Sequence, residues 1–293
     1  MSNVEKFLAY EGMAKITCVD TTEVVRKAKE IHNLSKTATA ALGRLLTMGV
    51  IIGADLKEDT DNVTLQVKGN GPIGSMTVVT KKGAKVKGCV TNPEIEVKPK
   101  ENGKLDVQGI VGNEGYIYII KDIGLKEPYV GISEIVSGEI AEDFANYYAT
   151  SEQIPTVLAL GVCFDDNNEV KKAGGYLLQL MPDATEEIID KLEKIISNVP
   201  SITQMLSDNI SLYDIAKTIT GDEYLLTMLG EISNEYICDC SEDRMTKGLI
   251  SLGKDELKDI ISEGKDIDLE CHFCNKKYTF DVNKLNELLQ SID

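Results

Sequence analysis

The chain has 293 residues, of which 42% are hydrophobic, and carries 48 acidic against 31 basic side chains for a net charge of −17. That is enough apolar material for one large core plus a smaller unit. The charge argues against sequence-independent binding to phosphate backbones, which needs clustered Lys and Arg, and it favours solubility when apolar surface is exposed. Between Cys238 and Cys274 the balance is the same, ten acidic residues against five basic ones. The start, MSNVEKFLAYEG, lacks a basic segment followed by an apolar run. No stretch approaches the ~18–20 apolar residues of a membrane helix. The expectation is a cytoplasmic protein with neither a nucleic-acid nor a membrane partner. Seven cysteines, an odd count, suit a reducing compartment better than a secreted disulfide framework.

Residues 7–18 read as strands around a turn at Glu11-Gly12. Thr21 or Thr22 caps an amphipathic helix whose buried stripe is Val24, Val25, Ala28 and Ile31. His32, at its end, reads as a satisfied or exposed polar residue. Ser35 opens a second helix through Ala38, Leu42, Leu45, Leu46 and Ile52. Gly43, Gly49 and Gly53 interrupt it and predict close packing against another backbone.

From Asp61 to Ile135 the period changes to two, with strands at Ser75–Thr80, Ala84–Thr91, Leu105–Val111 and Tyr116–Lys121. Gly69-Asn70-Gly71-Pro72-Ile73-Gly74 has the glycine spacing of a dinucleotide loop, but strand formers rather than a helix follow it. It reads as a hairpin bend. A helix through Ile140, Phe144, Tyr147 and Tyr148 follows Ser137-Gly138. Two strands, Thr156–Phe164 and Ala173–Leu180, flank the turn Asp165–Asn168. Cys18, Cys89 and Cys163 fall in strands and read as small buried apolar residues.

After Pro182 the pattern becomes helical. Asp183 or Thr185 caps a helix with Ile188, Ile189, Leu192, Ile195 and Ile196 on one face, and Pro200-Ser201 breaks it. Shorter helical pieces carry Met205, Leu206, Ile210, Leu212, Ile215, Leu225, Leu226, Met228 and Leu229. Each piece is too short to stand alone and needs a platform.

The last sixty residues contain Cys238-Asp239-Cys240 and, thirty residues on, Cys271-His272-Phe273-Cys274. Two short-bite thiol pairs on separate loops suit a tetrahedral soft-metal site with four thiolates. Zinc ranks first, a disulfide-linked pair of loops second and an iron–sulfur cluster third. His272, pinned between two ligands, points away from the metal. The single residue between Cys238 and Cys240 makes a tight bite, and a disulfide there would be strained and easily reduced. Helices near Asp243–Leu252 and Lys254–Ser262, strands near Ile267–Cys271 and Lys277–Asp281, and a last helix with Leu285, Leu288 and Leu289 complete this region. A unit this small needs a staple.

Four stretches together resemble the redox-regulated 33 kDa heat-shock chaperone family. They are Gly69–Gly74, Ser137–Gly161 (SGEIAEDFANYYATSEQIPTVLALG), Gly174–Pro182 (GGYLLQLMP) and the cysteines in the order C-x-C then C-x-x-C. The resemblance implies an α+β architecture of three parts. Residues 1–182 would form a β-rich core that binds clients and dimerises, 183–233 an amphipathic helical linker and 234–293 a zinc-binding redox-switch domain. It implies an ATP-independent holdase, not an enzyme, that is inactive when reduced with one Zn2+ per chain. On oxidation it would form disulfides, expected as Cys238–Cys240 and Cys271–Cys274, and release the metal. It would then act as a homodimer on unfolded or partly unfolded proteins. Two other classes stay open on the residues alone. One is a binding module, for ribosomes or RNA, whose zinc is only structural. The other is a dithiol oxidoreductase using Cys271 and Cys274, which requires that pair at a helix start.

Overall fold

The structure, a computed structural model, describes residues 3–221 and 226–291. Its chain divides into two compact units, Met1–Ile237 and Cys238–Asp293.

The larger unit begins with β1 (Asn3–Ala9) and β2 (Ala14–Asp20), then α1 (Thr22–His32) and α2 (Lys36–Gly53). Next come β3 (Asn62–Gly69), β4 (Ser75–Lys81), β5 (Lys85–Val90), the short α3 (Val107–Val111), β6 (Gly115–Asp122) and β7 (Tyr129–Glu134). After α4 (Ile140–Tyr147) follow β8 (Thr156–Phe164), β9 (Val170–Leu180), α5 (Glu186–Ile196), α6 (Ile202–Ser207), α7 (Leu212–Thr220), β10 (Thr227–Ser233) and β11 (Glu235–Tyr236). Two sheets result: a five-stranded one in the order β10-β1-β2-β9-β8, and a six-stranded one in the order β11-β5-β4-β3-β6-β7. Gly69–Gly74 is the bend between the antiparallel pair β3 and β4, as its flanking strand formers predict.

Alternation decides which side of each strand is buried. In β3, Val63, Leu65 and Val67 turn inward, while Thr64, Gln66 and Lys68 do not. The inner face meets α2, which packs against both sheets and is buried along nearly its whole length. The Ser35 hydroxyl caps α2 by accepting from the Ala38 amide at 3.1 Å. Its glycines answer to their neighbours. A Cβ at Gly43 or Gly49 would run into valine side chains, Val162 or Val78, at 2.8 and 2.7 Å, so side chains rather than backbone set those two positions. Only at Gly53 is the neighbour backbone: a Cβ there would lie 2.9 Å from the Lys81 carbonyl oxygen and still nearer the Thr80 hydroxyl. Gly53→Ala is therefore expected to lower stability by about 1–3 kcal/mol from overpacking, more than the ~1 kcal/mol that helix propensity returns. A urea denaturation midpoint equal to or above that of the parent would refute this.

The far face of the five-stranded sheet is covered by the helices after Pro182. Phe7, Ile16, Cys18, Tyr176 and Leu178 of the sheet form one cluster with Leu192, Ile202, Met205, Leu206, Leu212, Ile215 and Ile219. Thr185, Ser201 and Ser211 cap α5, α6 and α7 through their hydroxyls. These helices thus find the platform their length requires.

Several local expectations are corrected. Thr21 does not cap α1: its hydroxyl lies 2.7 Å from that of Thr47, and the Asp20 carboxylate accepts from the Thr22 amide instead. Part of Leu105–Val111 is helical, not extended, because Asp106 accepts from the Gly109 amide and Gly112, at φ +90°, ends the turn. Residues 227–233 form strand β10, because the edge of β1 offers a backbone ladder, broken by one bulge between Lys6 and Phe7, that outweighs the local helical pattern. Leu225 lies outside the described residues. Cys18 is buried, but Cys89 and Cys163 are only half-buried; the Cys163 thiol lies on the helix-covered side of β8, 3.7 Å from the Ser207 hydroxyl.

The smaller unit comprises α8 (Glu242–Leu252), α9 (Lys254–Ser262), the hairpin β12 (Ile267–Glu270) and β13 (Lys277–Phe280), and α10 (Val282–Ser291). Its core is five buried side chains: Leu249, Leu257, Tyr278, Phe280 and Leu285.

Candidate metal centre

Each thiol pair is presented by a short, well-defined piece of backbone. Cys238 and Cys240 precede α8, whose start is fixed by the Ser241 hydroxyl accepting from the Arg244 amide. Arg244 also pairs with Asp239, between the two thiols, at 2.8 Å. Cys271 and Cys274 occupy the turn of the β12–β13 hairpin. There the Cys271 amide donates to the Lys276 carbonyl at 3.0 Å, and the amides of Cys274 and Asn275 donate back to the Cys271 carbonyl. Asn275 takes the left-handed conformation, φ +58°, that the bend requires.

The four sulfurs lie within 4.8 Å of one another, and no other His, Asp or Glu among the described residues joins them. His272 is exposed. Cys238 and Cys271 are 3.7 Å apart and Cys240 and Cys274 3.3 Å. Four sulfurs at about 2.3 Å from one ion stand about 3.8 Å apart in a tetrahedron, so the donor set fits a single metal ion. These separations exceed the ~2.05 Å of a disulfide, and none of the seven cysteines is in a disulfide. The hairpin turn is also not a helix start, so the arrangement an oxidoreductase C-x-x-C needs is absent here.

Electrostatics single out one sulfur. Burial acts to push the Cys240 thiol up, but the Tyr278 hydroxyl, 3.1 Å away, and the neighbouring thiols donate to it and hold it at about 7. Burial pushes Cys238 well above the ordinary thiol value. Tyr278 is the member of the site that spacing did not reveal. The only signal for it was its position on the strand that follows Cys274.

A β-rich unit of two sheets packed on one helix, followed by a small α+β unit gathering four thiols, defines a two-part protein with a metal-type cysteine cluster. The chain belongs to the Hsp33 family, described as Hsp33 protein, which matches residues 2–281. It is 42% identical to the 33 kDa chaperonin of Clostridium botulinum (strain 657 / Type Ba4) over 286 residues, 98% of this chain and 96% of that one. It is 43% identical to the 33 kDa chaperonin of Thermoanaerobacter sp. (strain X514) over 282 residues, 96% of each chain. Among solved structures it resembles the 33 kDa chaperonin (heat shock protein 33 homolog) of Thermotoga maritima, with a TM-score of 0.90 and 35% identity over 99% of this chain and 98% of that one. By family, then, the protein is a chaperone. No helix among the described residues is long and apolar enough to cross a membrane.

Proposed function

We propose that this chain is an ATP-independent holdase gated by the oxidation of Cys238, Cys240, Cys271 and Cys274. In this reading residues 1–182 are the client-binding and dimerising core, 183–233 the linker and 234–293 the switch. The observation that carries it is the gathering of four free thiols at single-ion spacing in a unit with only five buried core side chains. The thiolates suit one Zn2+, which when bound supplies a cross-link between the two loops.

Oxidation acts on the sulfurs. Two thiols and one hydrogen peroxide give one disulfide and two waters; the thiols lose two electrons and two protons, and the peroxide oxygens take them up. Each disulfide removes two donors from the ligand set. Structural zinc contributes on the order of 10–16 kcal/mol to the folding of a small domain, whereas whole domains are stable by about 5–15 kcal/mol. Losing the ligand set is therefore enough to unfold the small unit. The Leu, Ile and Met faces of the linker and the sheet surface beneath them would then meet unfolded clients, and the net charge of −17 would keep that form soluble. Neighbour pairing, Cys238–Cys240 and Cys271–Cys274, is the proposed outcome, although contacts of 3.7 and 3.3 Å also join the two loops. Peptide mapping of the oxidised chain decides between them. A reducing, cytoplasmic setting and a dimer of the oxidised form complete the reading.

The test uses the full chain and a heat-unfolded client followed by light scattering. Reduced, zinc-loaded protein is expected to leave aggregation unchanged. Peroxide with mild heat is expected to suppress it and to release one zinc per chain to a chromophoric chelator. Equal protection before and after oxidation removes the switch.

A further inference from the structure

Residues 227–237 run as one strap along two sheet edges. β10 pairs antiparallel with β1 from Asn3↔Ser233 to Leu8↔Thr227. β11 pairs parallel with β5, and the amides of Glu235 and Ile237 donate to the carbonyls of Ala84 and Val86 at 3.3 and 2.8 Å. Where β11 stops, the Tyr236 hydroxyl continues the ladder. It donates to the Gly88 carbonyl at 2.8 Å and accepts from the Gly88 amide at 3.3 Å. His32 Nε2 lies 2.9 Å from the same carbonyl and 3.2 Å from the hydroxyl. Between the two strands Asn234 is buried and donates to the Asp20 carbonyl at 2.9 Å. With the strap gone, β1 and the Lys85–Gly88 stretch of β5 would each present a row of unpaired N–H and C=O groups.

Backbone ladders hold most of this strap, with the Tyr236 and Asn234 side chains pinning its end. Five of the seven β10 residues are exposed, Met228 and Leu229 among them. Ile232 and Tyr236 pack against the main core only in part. Helices α6 and α7, by contrast, bury Ile202, Met205, Leu206, Leu212, Ile215 and Ile219. The ladder also contains an adverse pair, since Glu5 and Glu231 are directly opposite and like charges across strands destabilise. Burial first, and the Glu231 charge second, raise the Glu5 carboxyl above its ordinary value. The strap ends at the residue before Cys238.

We infer that the edges of β1 and β5 beneath the strap are where this chaperone takes an extended polypeptide, which adds as a strand in the place the strap vacates. The inference rests on the redox-gated reading above and names its partner: a segment of unfolded chain recognised through backbone N–H and C=O, with little demand on sequence. The strap itself shows that chemistry, being a strand of this chain seated by backbone bonds with most of its side chains in solvent. The opposite edges, β7 and β8, have no neighbouring strand in their sheets among the described residues. Neither carries a strap that leads into the cysteines, so they do not distinguish the two redox states. The edges under the strap can, because the strap continues directly into Cys238.

The experiment uses the full-length oxidised protein and a labelled peptide with the sequence of residues 227–237, beside a twin N-methylated at alternate residues. The parent peptide is expected to bind at least about tenfold more tightly than the twin, which cannot complete a ladder. An unfolded client is expected to displace it. Hydrogen exchange is expected to show β1 and the Lys85–Gly88 edge losing protection on oxidation and regaining it with the peptide. Aggregation suppression, measured on the same sample, separates two failures. Suppression gained while both peptides bind alike, or while both edges stay protected, overturns the edge site and leaves the gated reading. No suppression overturns both. Glu231→Lys, at an exposed strap position, faces Glu5 with an opposite charge. It is expected to lengthen the activation half-time about threefold or more; an unchanged half-time and unchanged β1 protection count against the strap as the gate.

Discussion

Cys271→Ser is expected to leave residues 238–291 without fixed structure while the larger unit keeps its own. Cys271 is the one buried thiol of the four. Serine is close to it in size, so what is lost is a soft ligand rather than volume. The five buried side chains around Leu257 and Phe280 make a core too small to hold such a unit alone. The missing contribution is of the order of a whole domain's stability, about 10 kcal/mol or more. Hydrogen exchange followed by mass spectrometry on the reduced variant reads this directly. Amides from Leu249 to Leu257 and from Tyr278 to Leu285 should exchange as in a free chain, while α2 and β3–β6 stay protected. Slow exchange throughout the small unit would mean that its core folds without the thiol cross-link, and the proposed trigger would fall with it.

Phe280→Ala is expected to weaken metal binding although Phe280 is not one of the four sulfur ligands. Its side chain is fully buried at the end of β13, opposite Ile267. Truncating a buried phenylalanine costs about 3–5 kcal/mol. If the ligand set forms only when the unit folds, that cost appears in the apparent affinity, as a loss of about 10²–10³-fold. Competition with a chromophoric chelator measures it, and far-UV circular dichroism of the loaded variant confirms that saturating zinc restores the fold. An affinity equal to the parent's would show that the two cysteine loops assemble independently of the core beneath them.

The cysteine site was legible because its signal is short-range. Two pairs of thiols, each within one turn of chain, predict a four-sulfur shell from spacing alone, and all four sulfurs do come within 4.8 Å. The β-rich block was legible for the same reason. The alternation of Val63, Leu65 and Val67 with Thr64, Gln66 and Lys68 is a property of neighbouring residues, and so are the caps at Ser35 and Thr185. The misreadings share the opposite character. Leu105–Val111 alternates like a strand, yet Asp106 and Gly112 turn it into a helix. Residues 227–233 carry a helical apolar pattern, yet they lie extended because β1 has an open edge more than two hundred residues earlier in the chain.

The amino-acid sequence by itself thus determined the α+β class, the four thiols and their suitability for one metal ion, and the acidic net charge. All of these depend on residue type and local spacing. Only the tertiary structure decided that α2 lies between two sheets, that the Tyr278 hydroxyl reaches Cys240, and that one strap closes an edge of each sheet just before Cys238. Those facts depend on which distant backbones meet. A row of unpaired N–H and C=O groups takes whatever strand the fold brings to it, and no local pattern records which one that is.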